Sequence, residues 1–450
     1  MSRKFLFLQG NSSHFFRALG GALAESGYGV SRINMSGGDW YFWGNWNAVD
    51  FKGAPARLGD FVRDHVVANS ITDIVLHNDC RPGHRSAIDA VRDLGCRIWV
   101  FEEGYMRPHW LTLEEGGING HSPLMNSMAV HLESANDNAG EESDFVSLPS
   151  GMKRRVIYDF QWQIWNYLLL LRYPRFRTHR PFPIWAEYAT WLKRLAVLPF
   201  RKRQARKTVS QLVSQGQRYF VFPMQLDTDS QVKVHSPFAG MTEALEEVIG
   251  SFAAYAQKND RLVVKAHPLD NGWVNFRRRT QAIAQRHGVL VRVDFIDGGD
   301  LNLLLRHAQG AVILNSTVGL TALEAGCPLI CLGKAIFDLP GLTFKGELKA
   351  FWQSPTRPDS AHFSAFLRYL RRESLINGDY YTDQGMGLAI RNAIARFGLP
   401  RCEGVAGSPV AGCSVVGMEV RTDASSVRES SGARRPDGCR EARPGDAPRP

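Results

Sequence analysis

The sequence predicts an α/β protein with two doubly wound, Rossmann-like lobes and a helical insertion between them. Short apolar runs alternate with helix-like stretches near the amino terminus, and the same alternation resumes after residue 208. Between these regions lies a stretch rich in tryptophan, leucine and basic residues. Alternating strands and helices are typical of parallel sheets covered by helices on both faces. With 450 residues and 44% hydrophobic content, the chain is long enough for two separate cores.

The first lobe is assigned to residues 1–150. Apolar runs bounded by turn residues predict its strands, and amphipathic stretches predict its helices. The predicted strands are Phe5–Leu8, Gly29–Asn34, Ile74–His77 and Ile98–Phe101, and the predicted helices are Ser13–Ser26 and Ser86–Leu94. The polar and acidic stretch Glu133–Asp144 predicts a surface loop.

The second lobe is assigned to residues 208–350 and is followed by closing helices in residues 351–400. Its predicted strands are Tyr219–Pro223, Leu262–Ala266, Val289–Val293, Gly310–Leu314 and Pro328–Leu332. Its predicted helices are Met241–Gln257, Val274–His287, Leu301–His307 and Gly319–Ala325, and further helices are predicted from Ser360 to Phe397. Residues 401–450 are rich in Gly, Pro, Ser and Arg, so they are expected to form a disordered tail.

Residues 151–207 form the basic, aromatic-rich insertion, for which helices are predicted. They contain four consecutive leucines, Leu168 to Leu171, among tryptophans, tyrosines and many arginines and lysines. One interpretation is an interdomain helical pair whose leucines belong to a core. The alternative is a surface that lies on a membrane, with aromatic anchors and basic side chains facing anionic headgroups.

Charge and cysteine content narrow the class of protein. The formal net charge of +10 favours an anionic partner, which nucleic acid, acidic lipid or a phosphorylated substrate would each satisfy. No nucleic-acid-binding module is recognisable, so nucleic acid is not expected. The seven cysteines show no CxxC or Cys/His ligand spacing, which favours a reduced cytosolic protein without a zinc site. No apolar run is long enough for a signal peptide or a membrane span.

A histidine follows directly after one predicted strand of the second lobe. In the sequence Lys265-Ala266-His267-Pro268, the proline ends the strand and projects the imidazole from its carboxyl end, where binding loops of such sheets lie. A histidine there is suited to bind a phosphate or to protonate a leaving phosphate oxygen. The alternative is a structural histidine.

Asn315, Ser316 and Thr317 lie where another strand of this lobe gives way to a helix. Hydroxyls and free backbone N–H groups at a helix start favour a bound phosphate, although the same residues also act as plain helix caps. Glu324, further along the helix, is a candidate to accept hydrogen bonds from a ribose, or else a structural carboxylate.

Two carboxylates follow a strand of the first lobe, in Glu102-Glu103-Gly104. At the end of a strand, such a pair supplies a general base or a nucleophile for an anomeric carbon, and the glycine permits close approach of backbone or substrate. A charged surface loop is the alternative. The basic and aromatic continuation through Arg107 favours a site that holds an acidic sugar.

Other polar residues lie in loops at the same predicted edges. Gln9 precedes the first helix without a GxGxxG fingerprint, and Arg81 and His84 follow the strand that ends at His77. Gln225 and Asp229 belong to the sequence Gln225-Leu226-Asp227-Thr228-Asp229, which contains a DxD-like string. Because such a string is common by chance, no metal site is assigned to it, and no cofactor is expected.

These motifs together resemble the bacterial capsular polysaccharide β-Kdo transferases of the KpsS/LipB type. The resemblance covers most of residues 5–345 in order. Its matching stretches are Phe7-Leu8-Gln9-Gly10, Gly38-Asp39-Trp40-Tyr41-Phe42-Trp43, Asp79-Cys80-Arg81-Pro82, Phe101-Glu102-Glu103-Gly104-Tyr105, Pro223 through Ser230, Lys265-Ala266-His267-Pro268 and Asn315-Ser316-Thr317.

The resemblance implies a GT-B-like fold, CMP-Kdo as donor, no metal requirement and a lysophosphatidylglycerol or phosphatidylglycerol acceptor. It implies that Glu103 is the catalytic carboxylate and that His267 contacts the CMP phosphate with Ser316 and Thr317. A related pattern has aspartate in place of Glu103. Glu102 is a further catalytic candidate, and the remaining candidates are donor-binding Lys265, Asn315, Glu324, Gln225 and Asp229 and acceptor- or sugar-binding Gln9, Arg81, His84 and Arg107.

The same resemblance implies a cytoplasmic protein held at the inner face of the bacterial inner membrane, with other capsule assembly or export proteins as partners. On this view the first lobe carries the catalytic and acceptor groups and the second binds the nucleotide. The alternatives are a CMP-sialic acid transferase, another GT-B nucleotide-sugar enzyme such as an epimerase, and a non-catalytic export adaptor that binds glycolipid.

Overall fold

The computed structural model describes residues 2–127, 145–177 and 184–400, which are organised by two β-sheets. The strands are β1 (Lys4–Phe7), β2 (Gly29–Asn34), β3 (Ala48–Asp50), β4 (Asp73–His77), β5 (Arg97–Glu103), β6 (Trp110–Glu115), β7 (Tyr219–Pro223), β8 (Arg261–Lys265), β9 (Val293–Ile296), β10 (Gly310–Ile313), β11 (Leu329–Cys331) and β12 (Leu375–Asn377). The first sheet has the order β12-β6-β5-β4-β1-β2-β3 and the second the order β11-β10-β7-β8-β9.

Helices connect and cover these strands. In the first lobe they are α1 (Phe15–Glu25), α2 (Gly37–Trp43), α3 (Leu58–Asn69) and α4 (Pro82–Val91), and the insertion contributes α5 (Met152–Leu168) and α6 (Ile184–Ser214). The later helices are α7 (Ser230–His235), α8 (Met241–Tyr255), α9 (Phe276–Arg286), α10 (Leu301–His307), α11 (Val318–Glu324), α12 (Leu348–Gln353), α13 (Ser360–Glu373) and α14 (Asp383–Arg396).

Both sheets are parallel at their centres, as the alternation of strands and helices predicts. Strand β1 pairs in parallel with β2 and β4, and β4 pairs in parallel with β5, while all pairs of the second sheet are parallel. The central strands β4 and β7 are buried at every position, since helices cover both faces. The predicted α/β, GT-B-like architecture of two doubly wound lobes is therefore confirmed.

One predicted strand and one predicted helical region differ from the structure. Residues Leu290–Arg292 form a turn of 3-10 helix, and β9 begins only at Val293. Leu290 and Val291 are exposed, so their apolar character does not mark a buried strand. In the predicted closing helices, β12 separates α13 from α14 and pairs antiparallel with β6 of the first sheet.

The insertion is helical, as predicted, and one face of α5 packs on α2. Gly37 and Gly38 lie directly against the backbone of Trp165 and the ring of Trp162, and the Tyr41 and Trp165 rings stack with centroids 5.0 Å apart. Beyond this contact, Leu168, Leu170 and Leu171 are 60%, 53% and 94% exposed. The interpretation that the leucines form a core is therefore wrong for these three.

Within the three described ranges, no helix is both long enough and apolar enough to cross a bilayer. The loop predicted at 133–144 and the tail predicted at 401–450 lie outside the described residues.

Candidate active site

The carboxylates and the histidine of the sequence motifs all lie at carboxyl ends of parallel strands. Glu102 and Glu103 are the last two residues of β5, and Lys265 is the last residue of β8, two positions before His267. Asn315 follows β10 after one residue. Gly104 approaches β6 so closely that a Cβ would lie 2.2 Å from the Trp110 carbonyl oxygen, so the glycine serves a backbone contact.

Glu102 is half-buried at the end of β5, with its side chain 19% exposed. One carboxylate oxygen accepts a hydrogen bond of 3.1 Å from the Glu103 N–H. Burial raises the pKa of Glu102 to about 7, although the Glu103 N–H and the positive charges of Arg81 and Arg107 act in the opposite direction. A carboxyl group that exchanges its proton near neutrality is suited to act as a general acid or base.

A chain of buried polar contacts leads from the first strand to Glu102. Arg81 donates hydrogen bonds of 3.1 Å to Gln9 Oε1 and 3.0 Å to the Gly10 carbonyl, and Gln9 in turn donates to Asp39 at 3.1 Å. A second Arg81 N–H group lies 3.3 Å from His77 Nδ1. Gln9 and Arg81, both predicted to bind sugar or acceptor, thus hold the loops beside Glu102 in place.

His77 lies between Arg81 and the carboxylate of Glu102. Its Nδ1 accepts from Arg81, so the proton of the neutral ring lies on Nε2, which is 3.6 Å from Glu102 Oε1. Burial, with help from the charge of Arg81, lowers the pKa of His77 well below its usual value. The contact with Glu102 therefore involves a neutral ring and is not an ion pair.

Glu103 has different neighbours because successive residues of a strand point to opposite faces. Arg155 of α5 places its guanidinium nitrogen 3.1 Å from Glu103 Oε1, and the Tyr381 hydroxyl donates to the same oxygen at 3.4 Å. The inserted helix thus reaches the predicted catalytic carboxylate. Neither Arg155 nor Tyr381 was predicted, because both are far from Glu103 in sequence and belong to no recognisable motif.

His267 is held in one orientation by its own loop. The Leu269 N–H donates a hydrogen bond of 3.1 Å to His267 Nδ1, so the neutral ring carries its proton on Nε2. Burial is the main cause that lowers the pKa of His267 to about 4, and Lys265, Arg107 and Arg194 add their positive charge. In the free protein the neutral ring therefore presents Nε2–H as a hydrogen-bond donor, and the predicted role of His267 at the donor phosphate stays a prediction.

The charge of Arg107 acts on groups of both lobes. Burial is the largest influence on the pKa values of Glu102, His267 and Asp229, and the charge of Arg107 is a smaller influence on all three. Arg107 follows β5, and its Nε donates a hydrogen bond of 3.4 Å to the Gly104 carbonyl.

A second cationic group lies beside His267. Lys265 is buried, and burial lowers the pKa of its ammonium group, while the charge of Asp297 raises it. Asp297 forms a buried pair with Arg194 of α6, with nitrogen–oxygen distances of 2.8 and 3.2 Å. The insertion therefore contributes to the edge of the second lobe as well as to that of the first.

The remaining donor-binding candidates differ in whether their polar groups are already hydrogen-bonded within the protein. Gln225 and Asn315 hydrogen-bond to each other at 2.9 Å, and Asn315 also donates to the carbonyls of Gln231 and His235, so both hold α7 in place. Ser316 and Thr317 are half-buried at the start of α11, where Ser316 Oγ accepts from the Val318 N–H and Thr317 makes no side-chain cap. The Thr317 hydroxyl is the freer of the two.

Three further candidates point elsewhere. His84 is buried, with Nδ1 2.8 Å from the Asn78 carbonyl, and Glu324 is exposed at the far end of α11. Asp229 accepts from the Gln231 N–H, and Asp227 of the same DxD-like string accepts from the Met241 N–H. These carboxylates cap two different helices instead of converging on a metal ion.

The sequence matches a known family over the part of the chain that carries this site. Residues 72–381 match the model described as capsule polysaccharide biosynthesis protein. The chain belongs to this family. The match begins beside β4 and ends at Tyr381, and it therefore contains Glu102, Glu103 and His267.

Related proteins named for capsule polysaccharide export and modification align with most of this chain. The capsule polysaccharide export protein KpsS of Escherichia coli is 31% identical over 384 residues, which are 84% of this chain and 97% of that protein. The capsule polysaccharide modification protein LipB of Neisseria meningitidis serogroup A is 31% identical over 389 residues, which are 85% of this chain and 92% of LipB.

Among solved structures, the β-Kdo 2,7 transferase of KpsC from Thermosulfurimonas dismutans is similar to this chain. It has a TM-score of 0.41 and 15% sequence identity, and the match covers 81% of this chain and 89% of that one.

Proposed function

We propose that this capsule family protein is a retaining glycosyltransferase that moves β-Kdo from CMP-Kdo to a lysophosphatidylglycerol or phosphatidylglycerol acceptor. A place in capsule assembly is supported by the family and by relatives that share about a third of their residues with this chain. The donor and acceptor come from the resemblance of its carboxylate, histidine and hydroxyl motifs to those of β-Kdo transferases. The observation that carries the proposal is the placement of Glu103 at the end of β5, where Arg155 and Tyr381 contact its carboxylate.

In the first step, the Glu103 carboxylate attacks the anomeric carbon of Kdo. The bond from that carbon to the phosphate oxygen breaks, its electron pair stays on CMP, and Kdo becomes bound to Glu103 as an ester. CMP-Kdo carries its nucleotide on the β face, so a β-linked product requires two successive inversions. Arg155 and Tyr381 hold the attacking carboxylate in place.

His267 stabilises the departing phosphate as a hydrogen-bond donor. Its Nε2–H is available because Nδ1 is occupied by the Leu269 N–H. Lys265 and Arg107 add positive charge on the same side, and the Thr317 hydroxyl is free to donate to a second phosphate oxygen. Donors placed before the reaction stabilise charge that develops in the transition state without further reorganisation.

In the second step, the acceptor hydroxyl attacks the anomeric carbon and releases Glu103. The ester bond breaks, the carboxylate is regenerated, and the proton of the hydroxyl passes to Glu102. Glu102 suits this role because burial brings its pKa to about 7, so that near neutral pH it exists in both forms.

A lipid acceptor is supported by the exposed apolar face of the insertion. Large apolar side chains are exposed at helical spacing along α5 and in the turn that follows it, and others are exposed on α6. They are Val156, Ile157, Ile164, Tyr167 and Leu168 of α5, Leu171 of the turn, and Leu192, Leu195 and Phe200 of α6. Lys153, Arg154 and Arg175 lie beside them in sequence, which suits an anionic bilayer such as one containing phosphatidylglycerol.

The insertion also connects this face with the site. Arg155 of α5, from the same helix as the apolar face, contacts Glu103. A lipid held at the bilayer surface by α5 would thus have its headgroup close to the carboxylate that carries the sugar.

The decisive experiment is incubation of the full chain with CMP-Kdo and fluorescent lysophosphatidylglycerol, followed by mass analysis of the lipid. The expected product is the lipid with one or more added Kdo units, together with released CMP. Parallel reactions with CMP-sialic acid and UDP-sugars test the other donors. Binding of lipid with no CMP release under any acceptor would instead indicate an export adaptor and overturn the proposal.

A further inference from the structure

Three side chains that commonly bind transition metals meet where the two lobes touch. Cys80 Sγ is 3.1 Å from His235 Nε2 and 3.9 Å from His121 Nδ1, and the two imidazole rings have centroids 4.6 Å apart. One potential ligand atom from each of the three residues lies within 4.8 Å of the others. In residues 2–127, 145–177 and 184–400, no other group of three or more His, Cys, Asp or Glu side chains converges in this way.

A buried carboxylate lies beside two members of the cluster. Asp79 is 1% exposed, and its Oδ2 lies 2.9 Å from His121 Nδ1 while its Oδ1 lies 3.5 Å from Cys80 Sγ. Two ligand atoms bound to one tetrahedral zinc ion are separated by about 3.3–3.6 Å, because zinc–ligand bonds are about 2.0–2.3 Å long. The separations of Cys80 Sγ from His235 Nε2 and from His121 Nδ1, 3.1 and 3.9 Å, lie on either side of this range, so small side-chain rotations would bring these three ligand atoms around one ion.

The backbone holds these side chains in position. His235 is the last residue of α7, and its carbonyl accepts hydrogen bonds from the Lys334 N–H at 2.7 Å and from Asn315 at 3.2 Å. Its ring enters the first lobe's loop against Gly120, where a Cβ would lie 2.3 Å from His235 Nδ1. Any residue other than glycine would thus displace the ring. On the other side, Cys80 is fixed by a hydrogen bond of 2.9 Å from its N–H to Asn78.

We propose that Cys80, His121 and His235 bind one zinc-class divalent ion that ties the two lobes together. A thiolate and two imidazoles favour Zn²⁺ or another late first-row metal, whereas Mg²⁺ and Ca²⁺ prefer sites made of oxygen ligands. Cys80 and His121 belong to the first lobe and His235 to the second, so the ion is a bridge between the lobes. Asp79 lies beside Cys80 and His121 and supplies negative charge next to two of the ligands.

The first test measures bound metal in the full chain. Protein expressed with added zinc and then desalted is expected to hold about one zinc per chain by elemental analysis. Cys80→Ser and His235→Ala are expected to lose most of it. The matched controls Cys96→Ser and His65→Ala, which alter a cysteine and a histidine elsewhere in the first lobe, are expected to retain it.

The second test works on the unaltered protein and so does not depend on how the variants fold. Cobalt(II) added to protein stripped with a chelator is expected to produce a thiolate-to-cobalt charge-transfer band and the visible bands of tetrahedral cobalt. Zinc is expected to abolish these bands and to raise Tm by a few degrees. Zinc content equal in wild type and site variants, or cobalt spectra without a thiolate band, would overturn the proposal and leave the cluster as a hydrogen-bonded contact.

Discussion

At the level of single residues, two adjacent carboxylates differ in their properties because they have different neighbours. Glu102 and Glu103 are neighbours in sequence, but Glu102 is covered by the loops that hold Arg81 and His77, whereas Glu103 faces Arg155 and Tyr381. One is poised to exchange a proton near neutrality and the other is paired with a guanidinium group. The proposed division into base and nucleophile follows from this difference.

Replacing Glu103 by glutamine is expected to lower Kdo transfer at least 100-fold, because an amide cannot act as the nucleophile. The expected covalent intermediate can be tested by intact-protein mass spectrometry of Glu102→Gln with CMP-Kdo, since that variant lacks the base for the second step. A Kdo-sized mass increase is expected in Glu102→Gln and should be missing from Glu102→Gln/Glu103→Gln. Full activity of Glu103→Gln would exclude its role.

The pH dependence of transfer should report Glu102. As the proposed base of the second step it must be ionised, so kcat/KM for the acceptor is expected to rise with pH and to level off above about 7, where its pKa lies. In Glu102→Gln the remaining activity is expected to lose this rise. Glu115→Gln, an exposed carboxylate on β6, is the control and should keep it. A rise that persists unchanged in Glu102→Gln would assign the titration to another group.

At the scale of elements, the insertion is positioned by two glycines of α2. A Cβ at Gly38 would lie 2.2 Å from Trp162 Cδ1, and one at Gly37 would lie 2.1 Å from the Trp165 carbonyl oxygen. The close contact that these glycines permit brings α5, and with it Arg155, to the first lobe. The packing of α5 on α2 therefore requires glycine at both positions.

The variant Gly38→Ala is expected to destabilise the protein by about 1–3 kcal/mol, the usual cost of forcing a methyl group into a packed contact. Gly21→Ala is the matched control, because that helical position of α1 has only an arginine side-chain nitrogen 3.6 Å away. There the alanine should be neutral or stabilise by up to about 1 kcal/mol, since it lowers the entropy of the unfolded chain. Denaturant unfolding of both variants measures the difference, and equal midpoints would contradict the packing argument.

The exposed leucines of the insertion are expected to contact a membrane. Leu168→Ser/Leu171→Ser is expected to reduce sedimentation with phosphatidylglycerol vesicles severalfold, because the two leucines are 60% and 94% exposed on the apolar face. Replacing Lys153, Arg154 and Arg175 by glutamine should weaken binding to the same vesicles, with little effect on vesicles of phosphatidylcholine alone.

Val67→Ser is the control for this experiment, since Val67 is an exposed apolar residue on α3 of the first lobe. It should leave vesicle binding unchanged. Wild-type binding by both sets of insertion variants would exclude α5 and α6 as the membrane surface.

At the scale of the whole molecule, a buried carboxylate connects the sheet with the end of the described chain. Glu114 of β6 accepts a hydrogen bond of 2.6 Å from Ser374, which precedes β12, and another from Ser122. Burial raises the pKa of Glu114 to about 7 against the opposing effect of these hydroxyls. The folded protein therefore holds a proton that the unfolded chain releases at lower pH.

This raised pKa predicts that stability falls as pH increases from about 4.5 to about 7, because over that interval the folded state binds more protons than the unfolded state. The loss from Glu114 is at most about 3 kcal/mol, from a pKa difference of about 2.5. Glu114→Gln should remove this part of the slope, and Glu115→Gln should not. Parallel profiles of wild type and Glu114→Gln, measured by denaturant unfolding at several pH values, would contradict the prediction.

Some strands and helices of this protein can be predicted from the sequence more accurately than others. Buried strands such as β4 and β7 were predicted within one residue, because an apolar run between turn residues has few other uses in an α/β protein. Strand β12 was missed, since three residues between two helices give too short a pattern, and its partner β6 lies some 260 residues away. The strand predicted at Val289–Val293 begins only at Val293, because the apolar residues Leu290 and Val291 are exposed in a turn of 3-10 helix.

The class of fold, the family and the carboxylate and histidine motifs at strand ends can be predicted from the sequence, because each depends on local pattern or on matching residues in order. Which groups surround these motifs depends on how distant parts of the chain meet in the folded protein. Arg155 beside Glu103, the bond from Leu269 that selects the tautomer of His267, and the meeting of Cys80 with His235 all join residues without a shared motif. Burial and through-space charge, which set the proton affinities of Glu102 and His267, exist only once the chain is folded.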